Sequence, residues 1–409
     1  MIRVDMVVWN DFQNDARVLK EAETLGAAGY DVTIHALHVP GLTSVRERLG
    51  TRIKIVRVSK SPVMMFFKMN SGPRDKSALV LQQSHSSLGA FVQAFYLLGR
   101  AWAHLALAWN MIRNKPDVVH GHDVNTLPTA WFVAKVSGAR LIYDAHEIST
   151  SREGYSNFRK LVGVVEKALM PRANGTVTTT EARAKFFARA YAIKRPVVLQ
   201  NRPRQQPCTQ SNRIREELEL SQPWPIIVYQ GGVQSGRGLE RLARVAANVP
   251  NAYFVFIGGG RLDGSLRSIV SELGLEERVR FISTVPLADL PSYTASADIG
   301  VQPIENTCLN HYTTDSNKLF EYVQAGLPIV ASDLPEIRRV VRAHDLGLLV
   351  PNGDSEALTM ALNELVADEG KRKYYAAQSR EAAAVLNWES QEHELLALYD
   401  RVLSDSALA

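Results

Sequence analysis

The run TTDSNKLFEYVQAGLPIVAS, Thr313 to Ser332, starts as a polar turn, becomes a short helix and ends as a strand. Thr313 to Ser316 form the turn, and Asn317, Lys318 and Glu321 ride on the helix. Gly326 stops the helix and Pro328 leads into an apolar, β-rich segment. The same helix-to-strand step recurs on both sides of this run. Strands are expected at Ile226–Tyr229, Tyr253–Ile257, Val279–Ile282, Ile299–Pro303, Ile329–Ala331 and Gly347–Val350, with helices between them. That alternation predicts a parallel sheet wrapped by helices.

Further upstream the pattern appears once more. Val4–Val8, a helix over Asp15–Ala28 stopped by Gly29, and Asp31–Leu37 make a βαβ opening, continued at Asp117–His120, Arg140–Tyr143 and Gly175–Thr178. Between the halves, NRPRQQPCTQSN from Asn201 is rich in proline and polar residues, so a linker is placed at about Arg202 to Ser221. The expected architecture is α/β: two Rossmann-like, doubly wound domains, residues 1–202 and 203–385, facing across a cleft. An amphipathic tail, 386–409, carries Trp388, Leu395, Leu396 and Tyr399 near helical spacing and is expected to pack across the junction.

Composition agrees with this. In 409 residues, 46% apolar and 22% charged side chains suit a globular chain with sizeable cores. Two cysteines, Cys208 and Cys308, can build neither a disulfide framework nor a multi-cysteine zinc site. The opening MIRVDMVVWNDFQND reads as a first strand rather than a signal peptide, so a cytoplasmic location is expected. The apolar stretch Leu88–Ile112 is interrupted by Gln93, Arg100 and His104 and reads as a buried or partly surface-lying helix. Residues 40–76 hold nine Lys/Arg against Glu47 and Asp75, beside VMMFFKM at 63–69. Two readings stand: peripheral contact with an anionic membrane, or a strand with a solvated loop and an apolar plug.

In open parallel sheets ligands bind beyond the C-terminal ends of the strands. There, YQGGVQSGRGLERL places Gly231 and Gly232 before a helix, with Arg237 as a permanent cation, which suits a phosphate; a plain strand-to-helix turn is the alternative. The spacing follows neither the dinucleotide fingerprint nor the P-loop, which weakens dehydrogenase and NTPase readings. Lys318 and Glu321 share a helix face and can address phosphate and ribose hydroxyls of one ligand, or simply pair with each other. The Gly258–Arg261 turn, including Gly259, ends another strand, and Thr284 and Val285 can offer backbone groups to a base. His120, His122 and Asp123 could meet one metal ion, since alternate strand residues share a face. Asn14, Asp15 and Arg17 follow the first strand, where Asp15 serves either hydroxyl recognition or a helix cap.

Taken together, TTDSNKLFEYVQAGLPIVAS, DARVLKEA from Asp15, PDVVHGHDVNTLP from Pro116, LIYDAHEI from Leu141 and IGGGRLDGSLRSIV from Ile257 resemble the retaining glycosyltransferases of the GT4 family, of GT-B fold, over nearly the whole chain. The resemblance implies transfer of a sugar from a nucleoside diphosphate to an acceptor hydroxyl with retention of configuration and no metal cofactor. The acceptor would be a glycan, a lipid-linked sugar or a small molecule. It implies that Glu321 contacts the ribose and Arg237 the diphosphate, with Lys318 a second diphosphate contact and Thr314, Ser316 and Asn317 beside them. It implies that His146 faces the donor sugar, with Glu147 beside it and His122 lining the acceptor cleft. The sequence departs from the family at two points: Thr313 stands where a sugar-contacting Glu is usual, and Gln230, Gly231 and Gly232 replace a basic residue. Asn310 and Glu305 are the substitutes considered for sugar recognition. A nucleotide-sugar epimerase and a catalytically silent binding subunit are the competing functions; a nucleic-acid partner is not expected.

Overall fold

The computed structural model describes residues 1–60, 90–152, 158–207 and 209–404. The VMMFFKM run and Cys208 lie outside these residues. The chain forms two compact units. One comprises Met1–Thr179, Ala184–Val198 and Glu394–Ala409, the other Thr180–Arg183 and Leu199–His393.

In the first unit, β1 (Arg3–Val7) and β5 (Val118–His122) are central strands buried on both faces, and they bury Asp5, His120 and His122 along with their apolar residues. The sheet order is β3-β4-β2-β1-β5-β6-β7-β8, with β2 Asp31–His38, β3 Arg46–Leu49, β4 Ile53–Ser59, β6 Arg140–Ala145, β7 Gly175–Thr178 and β8 Val197–Val198. All pairings are parallel except β3 with β4. Helix α1 (Ala16–Ala27) begins where the Asp15 carboxylate accepts the Val18 N–H at 3.2 Å, a side-chain cap worth about 1 kcal/mol. It connects β1 back to β2. Helices α2 (Ala90–Asn114), α3 (Asp123–Ser137) and α4 (Arg159–Leu169) all step the other way, through β5, β6 and β7. Right-handed crossovers therefore put these three together on the face opposite α1. Helix α5 (Glu181–Tyr191) follows β7.

Strands β3 and β4 bear out the strand of the second reading of residues 40–76, although their pairing as a hairpin was not expected. Their charged residues read as a basic patch, yet they form a hairpin in which the buried Arg57 pairs with Glu47 and Lys54 pairs with Asp31 at 3.1 Å. Two of the nine cations are thus matched by carboxylates of the sheet.

The second unit is a wholly parallel sheet, β11-β10-β9-β12-β13-β14, from Val279–Ile282, Tyr253–Ile257, Ile226–Gln230, Ile299–Gln302, Ile329–Ser332 and Gly347–Val350. Leu239, which opens α6 (Leu239–Val245), packs with Phe254 and Phe256 on one face, and Phe320, Tyr322 and Val323 of α7 (Asn317–Gln324) pack on the other. Gly300 lets α7 come close: a β-carbon there would lie 2.5 Å from the Tyr322 ring, whose hydroxyl donates to the Val228 and Val301 carbonyls at 3.2 and 3.3 Å. Truncating the buried Phe320 to alanine should cost about 3–5 kcal/mol. The final helix α8 (Glu392–Ser404) lays Leu398 and Val402 on Gly175 of β7.

Among the described residues no helix is long and apolar enough to cross a membrane. Helix α2 buries Ala103, Leu107, Ala108 and Met111 and exposes Leu97, Leu98, Trp102, Leu105 and Trp109.

Candidate functional site

The second unit gathers the Gly-rich turn and α7 at the C-terminal ends of its strands. Gly231 adopts φ +111°, and a β-carbon on it would lie 2.8 Å from Lys318 Cε and 3.0 Å from its Nζ, so only glycine admits the ammonium at this spot. Lys318 Nζ also stands 5.4 Å over the Tyr229 ring, whose hydroxyl donates to the Gly232 carbonyl at 2.9 Å. Burial and the neighbouring Arg237 guanidinium push the Lys318 ammonium down to about 8, opposed by Glu321. Two cations and one carboxylate converge, leaving the spot short of negative charge.

Glu321 does not pair with Lys318 among the described residues. Its Oε2 accepts from Gln230 Nε2 at 2.6 Å, and Gln230 Oε1 accepts from the Thr294 hydroxyl at 2.8 Å. Gln230, at a position where the family resemblance implied only a missing cation, thus orients the carboxylate. The Gly231 N–H donates to the Ile257 carbonyl at 2.8 Å, so this amide is not available to a ligand and the exposed Gly232 is the better placed of the two. The Gly258–Arg261 turn stacks alongside: Val233 N–H donates to Gly259 O at 3.1 Å, and a β-carbon at Gly259 would meet Thr284 Oγ1 at 3.5 Å. The Val285 side chain packs into the core.

The turn before α7 is held from within the unit. Thr313 is buried. Its hydroxyl donates to Leu309 O at 2.7 Å and accepts from Arg183 Nε at 3.3 Å, and its carbonyl accepts from Thr180 at 2.9 Å. A threonine replaces the family glutamate here as an anchor for the 180–183 segment. Asn310 is buried and its carbonyl accepts from Arg183 at 3.1 Å. Thr314 is buried, whereas Ser316, at φ +59°, and the exposed Asn317 open the helix. Backbone strain of this kind costs about 1–3 kcal/mol and gathers at ligand sites. Glu305 lies elsewhere: with Arg241, Arg244, Ser355 and Met360 it lines a cavity of about 650 Å³ that none of Gly231, Lys318 and Glu321 borders.

In the first unit, a buried charge cluster sits at the ends of β5 and β6. His120 and His122 share a face of β5 with rings stacked at 4.3 Å, and Asp144 and His146 follow from β6. Arg17 Nε meets Asp144 Oδ2 at 2.7 Å and Glu21 Oε1 at 3.2 Å, and a second Arg17–Asp144 contact spans 3.1 Å. His146 Nε2 lies 3.1 Å from Asp144 Oδ2, and His146 Nδ1 lies 3.9 Å from Asp123. Burial alone would lower His146, but Asp144 and Asp123 raise it to about 9, so it carries charge at neutral pH. His120 and His122 go the opposite way, chiefly through burial. Glu21 is raised to about 8 by burial, against the pull of Arg17.

His122 is 2% exposed, its Nδ1 3.3 Å from His146 Nε2; it supports His146 instead of lining an open cleft. Asp15 is the α1 cap and accepts from Asn10 at 2.8 Å, while Asn14 is exposed and Glu147 faces Arg152 at 3.6 Å. Glu21, His120, His122 and Asp144 place candidate metal-ligand atoms within 4.8 Å of one another. Arg17 lies against two members of this group, Asp144 and Glu21. Asp123, part of the metal alternative, instead faces His146 and Arg152. Three members of this cluster were missed in the sequence: Asp144, whose alternation with His146 could have shown it, Glu21, one helical turn after Arg17, and Tyr399, whose hydroxyl reaches His120 Nδ1 at 2.9 Å from α8.

Two family models account for most of the chain: a glycosyl transferase 4-like domain over residues 15–202 and glycosyl transferases group 1 over residues 225–368. The chain belongs to the group 1 glycosyltransferases. It is 26% identical over 386 residues to a 2-deoxystreptamine N-acetyl-D-glucosaminyltransferase of Streptomyces fradiae, covering 88% of this chain and 84% of that protein. It is 34% identical over 171 residues to a phosphatidyl-myo-inositol mannosyltransferase of Mycobacterium leprae, covering 41% and 43%. Among solved structures, sucrose-phosphate synthase from Thermosynechococcus elongatus matches with a TM-score of 0.74 at 18% identity, over 99% of this chain and all of that one. Anabaena Alr3699/HepE in complex with UDP matches with 0.71 at 14% over the full length of both. The fold of this group 1 glycosyltransferase is therefore GT-B, as the sequence motifs implied.

Proposed function

We propose that this glycosyltransferase takes a nucleoside-diphosphate sugar as donor, with its diphosphate in the cradle of Arg237, Lys318 and the Gly232 amide and its ribose on Glu321. The observation that carries this is the Lys318 ammonium lowered to about 8 beside Gly231: a half-buried cation next to a guanidinium is stabilised only when an anion arrives. The complex of Anabaena HepE with UDP supports a nucleotide at this fold.

In the transfer, the acceptor hydroxyl oxygen bonds the anomeric carbon as the bond from that carbon to the diphosphate oxygen breaks. The acceptor's proton passes to the departing oxygen on the same face, giving retention. Arg237 and Lys318 stabilise the charge that develops on the leaving group and stand in for a metal. His146, held protonated by Asp144, is the cation that the first unit can offer to a sugar hydroxyl. The acceptor is a glycan, a lipid-linked sugar or a small hydroxylated molecule.

The test is nucleoside-diphosphate release from a panel of nucleotide sugars with and without acceptors, followed by proton NMR of the new anomeric centre. Acceptor-dependent release with retained configuration is expected, lost in Arg237→Ala and Glu321→Ala. Conversion of the donor into an epimeric nucleotide sugar without an acceptor points to the epimerase, and binding without turnover to a silent subunit.

A further inference from the structure

The α2–α4 face of the first unit combines exposed apolar side chains with charge of a single sign. On α2, Leu98, Trp102, Leu105 and Trp109 recur at helical spacing along one stripe, with Leu105 66% and Trp109 61% exposed. Phe132 and Val136, one turn apart on α3, are exposed as well. On α4, Phe158 at its start and then Leu161 and Val164 continue the pattern. The three helices are neighbours: α2 packs on α3 and α3 on α4, with Arg100 Nη2 bonded to Asn125 Oδ1 at 2.6 Å. The stripes lie side by side on one surface, and contiguous exposed apolar area of this kind marks an interaction site.

Charge selects the partner. The described cations of these helices include Arg100, Arg113, Lys135, Arg159, Lys160 and Lys167, all exposed. Their described acids are two. Glu166 is buried under the Tyr143 hydroxyl at 2.7 Å, and Asp123 pairs with Arg152 at 3.3 Å. Lys135 stands 5.3 Å over the Trp131 ring and Arg113 5.7 Å over Trp109, so cations and aromatics are interleaved. A second copy of this face would bring like charges together, which disfavours self-association. An anionic bilayer accepts both features, burying the apolar stripes between headgroups and attracting the cations.

We infer that the α2–α4 face docks the protein peripherally on an anionic phospholipid surface. This inference does not rest on the donor assignment, because vesicle binding is read without any sugar nucleotide. The test is co-sedimentation of the full chain with phosphatidylcholine vesicles with or without phosphatidylglycerol, at low and high salt. Sedimentation with the anionic vesicles alone, weakened by salt, is expected. Lys135→Glu/Lys160→Glu/Lys167→Glu should lower the partition coefficient by at least ~100-fold, taking about a factor of five per lost cation. Leu105→Gln/Trp109→Gln/Phe132→Gln should abolish sedimentation, with the thermal transition of each variant unchanged. Wild-type protein left in the supernatant with anionic vesicles, or folded variants that sediment like wild type, would overturn the inference. So would a wild-type dimer that the apolar variant dissolves while vesicles bind neither protein, since that assigns the face to a second copy.

Discussion

Replacing Lys318 by methionine should strengthen the fold and weaken the ligand site at once. In the free protein the ammonium is pushed from 10.5 to about 8 by burial and Arg237. At ~1.4 kcal/mol per pH unit this is a destabilisation of about 3 kcal/mol at neutral pH, reduced to about 2 because the side chain is only half-buried. Methionine keeps the stem over Tyr229 and removes the charge. The second unit, Leu199–His393 with Thr180–Arg183, should then melt about 4–8 °C higher. A charge-assisted contact to a phosphate contributes roughly 1.5–3 kcal/mol, so UDP or GDP should bind ~10–150-fold more weakly. At a ligand concentration of about 100 times the wild-type Kd, a stabilisation of ~2.7 kcal/mol would fall to ~0.6 for a ~50-fold loss. Thermal unfolding with and without nucleotide reads both effects. A Lys318→Met protein that melts lower than wild type and keeps its full nucleotide shift would refute the reasoning.

Gly231→Ala forces a side chain onto φ +111° and into Lys318, so it should cost about 1–3 kcal/mol of stability and at least ~10-fold in nucleotide affinity, measured by denaturant unfolding and titration. Because Lys318 loses its proton near 8, nucleotide binding should weaken as pH rises above 8 and should take up a proton there, seen as a buffer-dependent binding enthalpy. His146 is raised from 6.5 to about 9, so its contribution to the first unit is fully present below about pH 6.5 and is lost as pH rises through 9. Its unfolding midpoint should fall across that window, and the dependence should vanish in His146→Gln. Asp144→Asn removes the charge of the carboxylate that Arg17 meets twice, leaving Glu21 as its other buried contact, and should cost about 3–5 kcal/mol in stability together with turnover.

Much of the fold was legible because its central strands are buried on both faces and its helices carry caps and glycine stops. The β3–β4 hairpin was not, since alternation of Ile53 and Ile55 with Lys54 and Val56, then Arg57, looks like a charge run unless the partners Asp31 and Glu47 are known. At the site, Lys318 and Glu321 could be placed on one helix face from spacing alone. Their division of labour, ammonium to phosphate and carboxylate to ribose, follows from charge type and the family resemblance; what could not be read is the contact of Gln230, 91 residues away, that orients the carboxylate. Arg17 with Asp144, and His120 with Tyr399, likewise meet across more than 100 residues. Sequence resemblance put His146 at the donor sugar and His122 on the acceptor cleft, and the burial of His122 sets the two further apart.

The account rests on the anion cradle at the end of β9, and calorimetric titration of UDP and GDP into wild-type and Arg237→Ala protein tests it most directly. One nucleotide should bind wild type, with a loss of at least ~10-fold in the variant. Absence of binding by both nucleotides, or equal binding to both proteins, would contradict it.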